Sequence, residues 1–313
     1  MTALPLVAGL VAIGAALAAT TQASQAPTAP AQEPAPVFRT GADVVSVEAA
    51  VRRERRPVTG LTAADFELLD NGVPQEITNI SYEKLPIDVT VLLDVSASVT
   101  GSALEELRRA LRQLRTDLTA QDRLRLITFD MRIRRLVDFS DPAPAADKAL
   151  ASIGAAGSSS IFDSLAVGLT TAVAPGRRQL IVLFSDGQDS SSISDAETLL
   201  DVARRNTPTV AVVLASQSLQ RPASLLRNST KLAGATIGGL ADQIASNTGG
   251  FFVAFAPGDN LSSTFRRVLE QFRASYVLYF TPRGVERAGS HTLEVRVKGA
   301  KVEVRARSGY VWK

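Results

Sequence analysis

The sequence predicts an α/β protein: a Rossmann-like, doubly wound, mostly parallel sheet, joined to a smaller β-rich domain built from the N- and C-terminal segments. Three observations predict it. Four short, mainly apolar runs stand in the middle of the chain, at residues 89–93, 124–129, 181–184 and 210–214. Amphipathic segments separate them, the pattern of parallel strands covered on both faces by helices. Both ends of the chain show instead the period-two alternation of half-buried strands.

Taken in order, residues 3–19 form an uncharged stretch rich in Ala, Leu, Val and Gly, followed by small-residue sites at Ala16-Leu17-Ala18 and Thr21-Gln22-Ala23. Residues 1–23 read as a secretory signal peptide or, if retained, an N-terminal anchor, although the run is shorter than the roughly 20 residues a spanning helix needs. Residues 24–36, rich in Ala, Pro, Gln and Thr, form a linker. The expected location is periplasmic or extracellular, with membrane contact only through an uncleaved N-terminal segment. Residues 37–85 begin the β-rich domain. There Val45, Val47 and Ala49 alternate with Ser46 and Glu48, Thr62 and Asp65 cap a short helical turn, and Asp70-Asn71-Gly72 marks a hairpin turn.

Residues 86–275 carry the α/β pattern. Leu104, Leu107, Leu111, Leu114 and Leu118 recur at helical spacing, with Glu105, Glu106, Arg108, Arg109, Arg112 and Arg115 between them: a surface helix with one buried stripe. Residues 132–139 alternate arginine with apolar side chains and read as an edge strand guarded by charge, and the cluster Arg52-Arg53-Glu54-Arg55-Arg56 reads as a second solvated edge. Leu261, Phe265, Val268, Leu269 and Phe272 mark one helix face beginning near Asp259. Residues 276–313 then complete the β-rich domain, with strands predicted at 276–280, 291–297 and 302–306.

Composition narrows the chemistry. The chain of 313 residues holds 34 basic and 31 acidic side chains, a net charge of +3, and only 5% aromatics. That balance gives neither the basic footprint nor the stacking platforms of a nucleic-acid binder. It has no Cys and one His, His291. Disulfides, thiolate metal sites and a cysteine nucleophile are therefore excluded, and histidine-based zinc sites nearly so. The Gly-rich dinucleotide fingerprint and the phosphate-binding loop with its Lys are absent too.

Oxygen donors, by contrast, gather at strand ends. Asp94-Val95-Ser96-Ala97-Ser98 follows the first buried run, Ser185-Asp186-Gly187 follows the third, and Gly157-Ser158-Ser159-Ser160-Ile161-Phe162-Asp163 opens a helix between them. Singly, each has an ordinary reading as a turn or helix cap. Together they place carboxylates and hydroxyls where loops meet at the switch point of an open parallel sheet. A hard divalent cation suits such donors, bound directly or through water.

These segments resemble the metal-ion-dependent adhesion site of the von Willebrand factor A family over about residues 86–255. The resemblance implies metal binding by Asp94, Ser96, Ser98, Ser159 and Asp186, with Ser159 standing where the family usually has Thr, four residues before Asp163, and with Ser158 and Ser160 as alternative sources of that hydroxyl. The implied ion is Mg²⁺, or Mn²⁺ or Ca²⁺. The flanks, including Pro57 to Phe66, Asp70 to Gln75 and Val304 to Tyr310, are similar to the secreted bacterial branch of VWFA-related domain proteins first grouped from acidobacteria. The expected function is non-enzymatic: an exported, cation-dependent binding module whose metal bridges to an acidic residue of a protein partner. Its rivals are a structural scaffold of an envelope assembly with a stabilising metal and, weaker still, a metal-dependent hydrolase.

Overall fold

The computed structural model describes residues 44–312 apart from 55, 83–84, 98–100, 156, 172–173, 224–234 and 257. The signal and linker segments of the sequence reading lie outside the described residues, and no helix among the described residues is long and apolar enough to cross a membrane.

The described residues begin with five strands, β1 (Val45–Arg53), β2 (Arg56–Pro57), β3 (Phe66–Asp70), β4 (Val73–Gln75) and β5 (Ile77–Tyr82). A 3₁₀ turn, Ala63–Asp65, precedes β3, its entry fixed by the Asp65 carboxylate, which accepts from both the amide (2.7 Å) and the hydroxyl (2.8 Å) of Thr62. Strands β3 and β4 form a hairpin across Asn71 and Gly72, both at positive φ (48° and 80°), the primed turn that matches strand twist.

Next come β6 (Ile87–Asp94), α1 (Gly101–Asp117), β7 (Arg123–Phe129), β8 (Ile133–Val137), α2 (Ala143–Ser152), α3 (Ile161–Thr170), β9 (Arg178–Ser185), α4 (Ala196–Arg205), β10 (Thr209–Ala215), α5 (Ile237–Asn247), β11 (Phe251–Phe255) and α6 (Leu261–Arg273). Their sheet runs in the order β11-β10-β9-β6-β7-β8, parallel throughout except for the edge strand β8. All eight residues of β6 and all seven of β10 are buried, because helices cover both faces. One core packs α1, α2 and α6 against Val89, Val91, Leu93 and Leu126, while the opposite core packs α3, α4 and α5 against Leu92, Ile127, Leu183 and Val212. From β6 the chain winds outward through β7 on one side and from β9 through β10 and β11 on the other. The switch point thus falls between the carboxyl ends of β6 and β9.

After α6, strands β12 (Ser275–Phe280), β13 (Gly289–Val297), β14 (Glu303–Ala306) and β15 (Gly309–Trp312) return to the N-terminal strands. β1 pairs antiparallel with β12 and β14, β12 with β5, and β13 with β3 and β15. Val47, Val51, Phe66, Leu68, Tyr276, Leu278 and Phe280 close the core between these two sheets. β15 was not anticipated by the alternation, which is too short there to register.

The described residues form one compact unit, and Arg178, the first residue of β9, shows why. Its guanidinium forks onto Glu48 of β1 (3.0 and 2.8 Å), donates to the backbone carbonyls of Phe272 (2.5 Å) and Arg273 (3.2 Å), and lies 4.3 Å over the Phe272 ring. One buried cation thereby ties the parallel sheet, the end of α6 and β1 together.

One sequence expectation needs correction. Arg52 is not a solvated edge residue: it is half-buried, its guanidinium 5.8 Å from the centre of the Phe251 ring. Burial, aided by nearby Arg305, lowers its pKa from the ordinary arginine value. Arg53 and Arg56 are exposed as expected, and so are Arg132, Arg134 and Arg135 around the edge strand β8.

Candidate metal centre

Asp94 ends β6 and Asp186 follows the end of β9. The two strands are neighbours in register, Leu93 lying beside Phe184, so the next pair, Asp94 and Ser185, sits side by side at the switch point. Asp94 is fully buried. Its Oδ1 accepts from the Ser96 amide at 2.9 Å, and its Oδ2 accepts from the hydroxyls of Ser159 (2.7 Å) and Ser185 (2.6 Å). Burial pushes the Asp94 carboxyl pKa up, while these hydrogen bonds, with one from the Ser96 hydroxyl, pull the other way.

The loop before α3 is fastened on three sides. Ala97 N–H donates to the Gly157 carbonyl (3.1 Å), the amides of Ser190 and Ser191 donate to the Ser159 carbonyl (2.9 and 3.0 Å), and the Ser160 hydroxyl donates to the Asp130 carbonyl (2.6 Å). Asp189 anchors the helix behind it, its Oδ2 accepting from the Phe162 amide (2.9 Å) and the Ser192 hydroxyl (2.6 Å). On the far side the Asp186 Oδ1 accepts from the Gln188 amide (3.0 Å), and the Asp186 carbonyl from the Ser218 hydroxyl. Gly187 adopts φ +86°, where a Cβ would stand only 3.2 Å from Ser218, so the chain turns there on glycine.

These fastenings leave an open hollow of about 170 Å³ lined by Ser96, Ser158, Ser159 and Asp186, among others. Of the five residues expected to hold a metal, Asp94, Ser96, Ser159 and Asp186 are brought together here, and Ser98 lies outside the described residues. The choice among the three loop serines, open in the sequence, has a geometric answer: Ser159 reaches Asp94, Ser160 is spent on the Asp130 carbonyl, and Ser158 only lines the hollow. Asp163 instead accepts from the amides of Ile193 (2.8 Å) and Ser194 (2.9 Å), holding the loop after β9. Ser185 escaped the sequence reading. Only knowledge that β9 lies beside β6 could have placed its hydroxyl on Asp94.

The donor chemistry fits a hard divalent cation. Because Ser159 gives its proton to Asp94, its lone pairs remain free toward the hollow. Two carboxylates and several hydroxyls are the oxygen set preferred by Mg²⁺, Mn²⁺ or Ca²⁺. Among the described residues there is no cluster of three or more His, Asp or Glu that could hold a metal without hydroxyl help.

Residues 88–238 match the family model of the von Willebrand factor type A domain. Over this segment the chain is similar to a VWA domain. Solved structures similar to the chain include BatB from Bacteroides thetaiotaomicron, at 17% identity over 59% of this chain and 98% of that one, with a TM-score of 0.45. A von Willebrand factor type A protein from Catenulispora acidiphila is 12% identical over 88% of this chain and 74% of its own, with a TM-score of 0.49. Proximal thread matrix protein 1 from the mussel byssus, solved with zinc in its MIDAS motif, is 14% identical over 64% of this chain and 48% of its own, with a TM-score of 0.48. No curated protein matches the chain. Within the matched segment, Asp94, Ser96, Ser159 and Asp186 occupy the carboxyl-end rim of the parallel sheet.

Proposed function

We propose that the VWA-like domain is a divalent-cation-dependent protein-binding module, working outside the cytoplasm, whose cation bridges to an acidic residue on a partner. The observation that carries this reading is the Asp94 carboxylate, fully buried yet bonded only to small donors, two of which, Ser96 and Ser159, line the hollow. Ser96 and Ser159 would hold the cation through hydroxyl oxygens, and Asp94 and Asp186 through carboxylates, directly or by way of water; Mg²⁺ is the ion the set fits best. When bound, the cation supplies a Lewis-acidic position for a carboxylate from outside. Asp94 orients the hydroxyls by taking their protons, and Asp186, half-buried, balances charge at the rim.

Two observations favour binding over turnover. The chain's lone imidazole, His291, is buried in the β-rich layer against Asp70 (2.8 Å) and Tyr310, so it is not at the rim to act as a base. The two most exposed large apolar side chains among the described residues are Ile193 (88%), three residues beyond Ser190 of the hollow's lining, and Met131 (63%), packed beside Gly157 of that lining. Exposed apolar groups on anchored loops suit a protein surface. Export is supported by the apolar, small-residue pattern of residues 1–23.

The test is capture of envelope proteins on the immobilised protein with Mg²⁺, with EDTA, and on Asp94→Ala. Capture lost in both of the last two supports the bridge. Capture unchanged in both rejects it.

A further inference from the structure

A second hollow, of about 330 Å³, opens on the other side of the same loop. The metal hollow is bounded by Gly157, Ser158 and Ser159, and the second by Ile153, Gly154 and Ala155, with Val95, one residue from both Asp94 and Ser96, in its wall. The wall between them is firm. Gly157 at φ +78° faces Met131 so closely that a Cβ would be 3.4 Å from its Cγ, and Ser160 is bonded to the Asp130 carbonyl.

Four polar side chains line this second hollow, and one of them, Ser152, gives its hydroxyl proton to the Ala149 carbonyl (2.7 Å). Asp130, 7% exposed, accepts from the Arg132 amide (2.6 Å) on one oxygen and from the Arg134 guanidinium (2.9 Å) on the other, which leaves lone pairs on both. Arg134 gives one N–H to Asp130 and is 42% exposed at its side chain, so its remaining donors are available. Thr128 is 3% exposed, lines the hollow, and its hydroxyl makes no hydrogen bond to any described residue. Water in the hollow reaches this hydroxyl, and a polar group that enters can take the water's place.

We infer that this hollow is a side-chain subsite for a carboxamide, Asn or Gln, carried by the partner near the acidic residue that reaches the cation. The charge balance selects it. Asp130 and Arg134 cancel, so a partner guanidinium or ammonium would meet Arg134, and a carboxylate would meet Asp130. A neutral amide meets neither penalty: its NH₂ donates to Asp130 and Thr128, and its carbonyl accepts from Arg134. The apolar walls of Val95, Leu136 and Ile153 take the methylene stem. The inference rests on the cation-bridging reading for the orientation of the partner, and on its own residues for the amide.

Selection from a phage-displayed random dodecapeptide library on the Mg²⁺-loaded protein, eluted with EDTA and sequenced, tests it. The expected pool carries an acidic residue with Asn or Gln enriched at a fixed offset. On Thr128→Val, near-isosteric and missing only the unpaired hydroxyl, the amide preference falls while the acidic residue stays. A selected peptide binds that variant about 3–10-fold more weakly, the loss of one neutral hydrogen bond. Arg134→Gln, at an exposed position, checks the carbonyl side with a loss of similar size. An unchanged thermal midpoint of each variant certifies folding. Acidic peptides without amide enrichment, or with Lys or Arg enriched instead, overturn the subsite and leave the metal bridge standing. Amide enrichment without an acidic residue overturns the bridge and leaves the subsite. An empty pool overturns both.

Discussion

Two aspartates end strands in this molecule, and both are completely buried: Asp94 on β6 and Asp70 on β3. Their partners differ. Asp94 takes its hydrogen bonds from serines and a backbone amide, small donors that leave an open hollow beside it. Asp70 takes its bonds from two rings, His291 Nδ1 at 2.8 Å and the Tyr310 hydroxyl at 2.7 Å, which stack on each other at 4.6 Å and seal it. The same residue type at the same kind of position becomes a ligand-facing group in one case and a strut in the other. The size of its donors decides which.

The comparison breaks most sharply under mutation. Asp70→Ala leaves a phenol and an imidazole unpaired in the core between the two antiparallel sheets. The expected cost is about 3 kcal/mol or more in denaturant unfolding. A loss below about 1 kcal/mol would show that the strut carries little. Asp94→Asn is expected to cost far less without metal, about 1 kcal/mol or under, because burial already penalises its charged form and Ser96 and Ser159 face a hollow that water can fill.

Cation addition separates the two aspartates in the other direction. With a Kd on the order of 1 mM, typical of extracellular oxygen-ligand sites, 10 mM Mg²⁺ stabilises the wild type by about 1.4 kcal/mol, roughly 3–5 °C in the thermal midpoint. Asp94→Asn should show no such rise. A rise of equal size in that variant would place the responding site elsewhere.

Alkaline titration sharpens the strut. Burial, with the Asp70 carboxylate beside it, pushes the Tyr310 phenol above its ordinary pKa. The sign follows from linkage: the fold holds this proton more tightly than the unfolded chain does, so the contribution is whole below pH about 10 and shrinks as pH rises above it. Ultraviolet titration of wild type against Tyr310→Phe is the check. The variant should lack the late phenolate step and lose less stability between pH 9 and 11. The smallest effect on folding belongs to Ile193→Ser at the rim, within about 0.5 kcal/mol, while capture of a cation-dependent partner should weaken.

How far the sequence reached follows from the range of each signal. Local patterns were enough for the buried strands, since four apolar runs between amphipathic segments admit few arrangements, and for Asp94, Ser96 and Asp186, which follow those runs directly. Ser159 is told from Ser158 and Ser160 only by the folded loop, because three adjacent serines differ only in where the loop points them. Ser185 was hidden because its role depends on which strand neighbours which. His291 could be placed in a strand but not against Asp70 and Tyr310, since β3 is 221 residues from it in sequence and the register of that pairing has no local mark. Arg52 looked like its charged neighbours, and only the packing of Phe251 beside it sets it apart.

Anomalous diffraction from crystals soaked in Mn²⁺ tests the central claim most directly. A peak bonded to the hydroxyl oxygens of Ser96 and Ser159, next to Asp94 and Asp186 and missing in Asp94→Ala crystals, is the expected result. Density at the rim without manganese, or manganese bound only away from these residues, would contradict it.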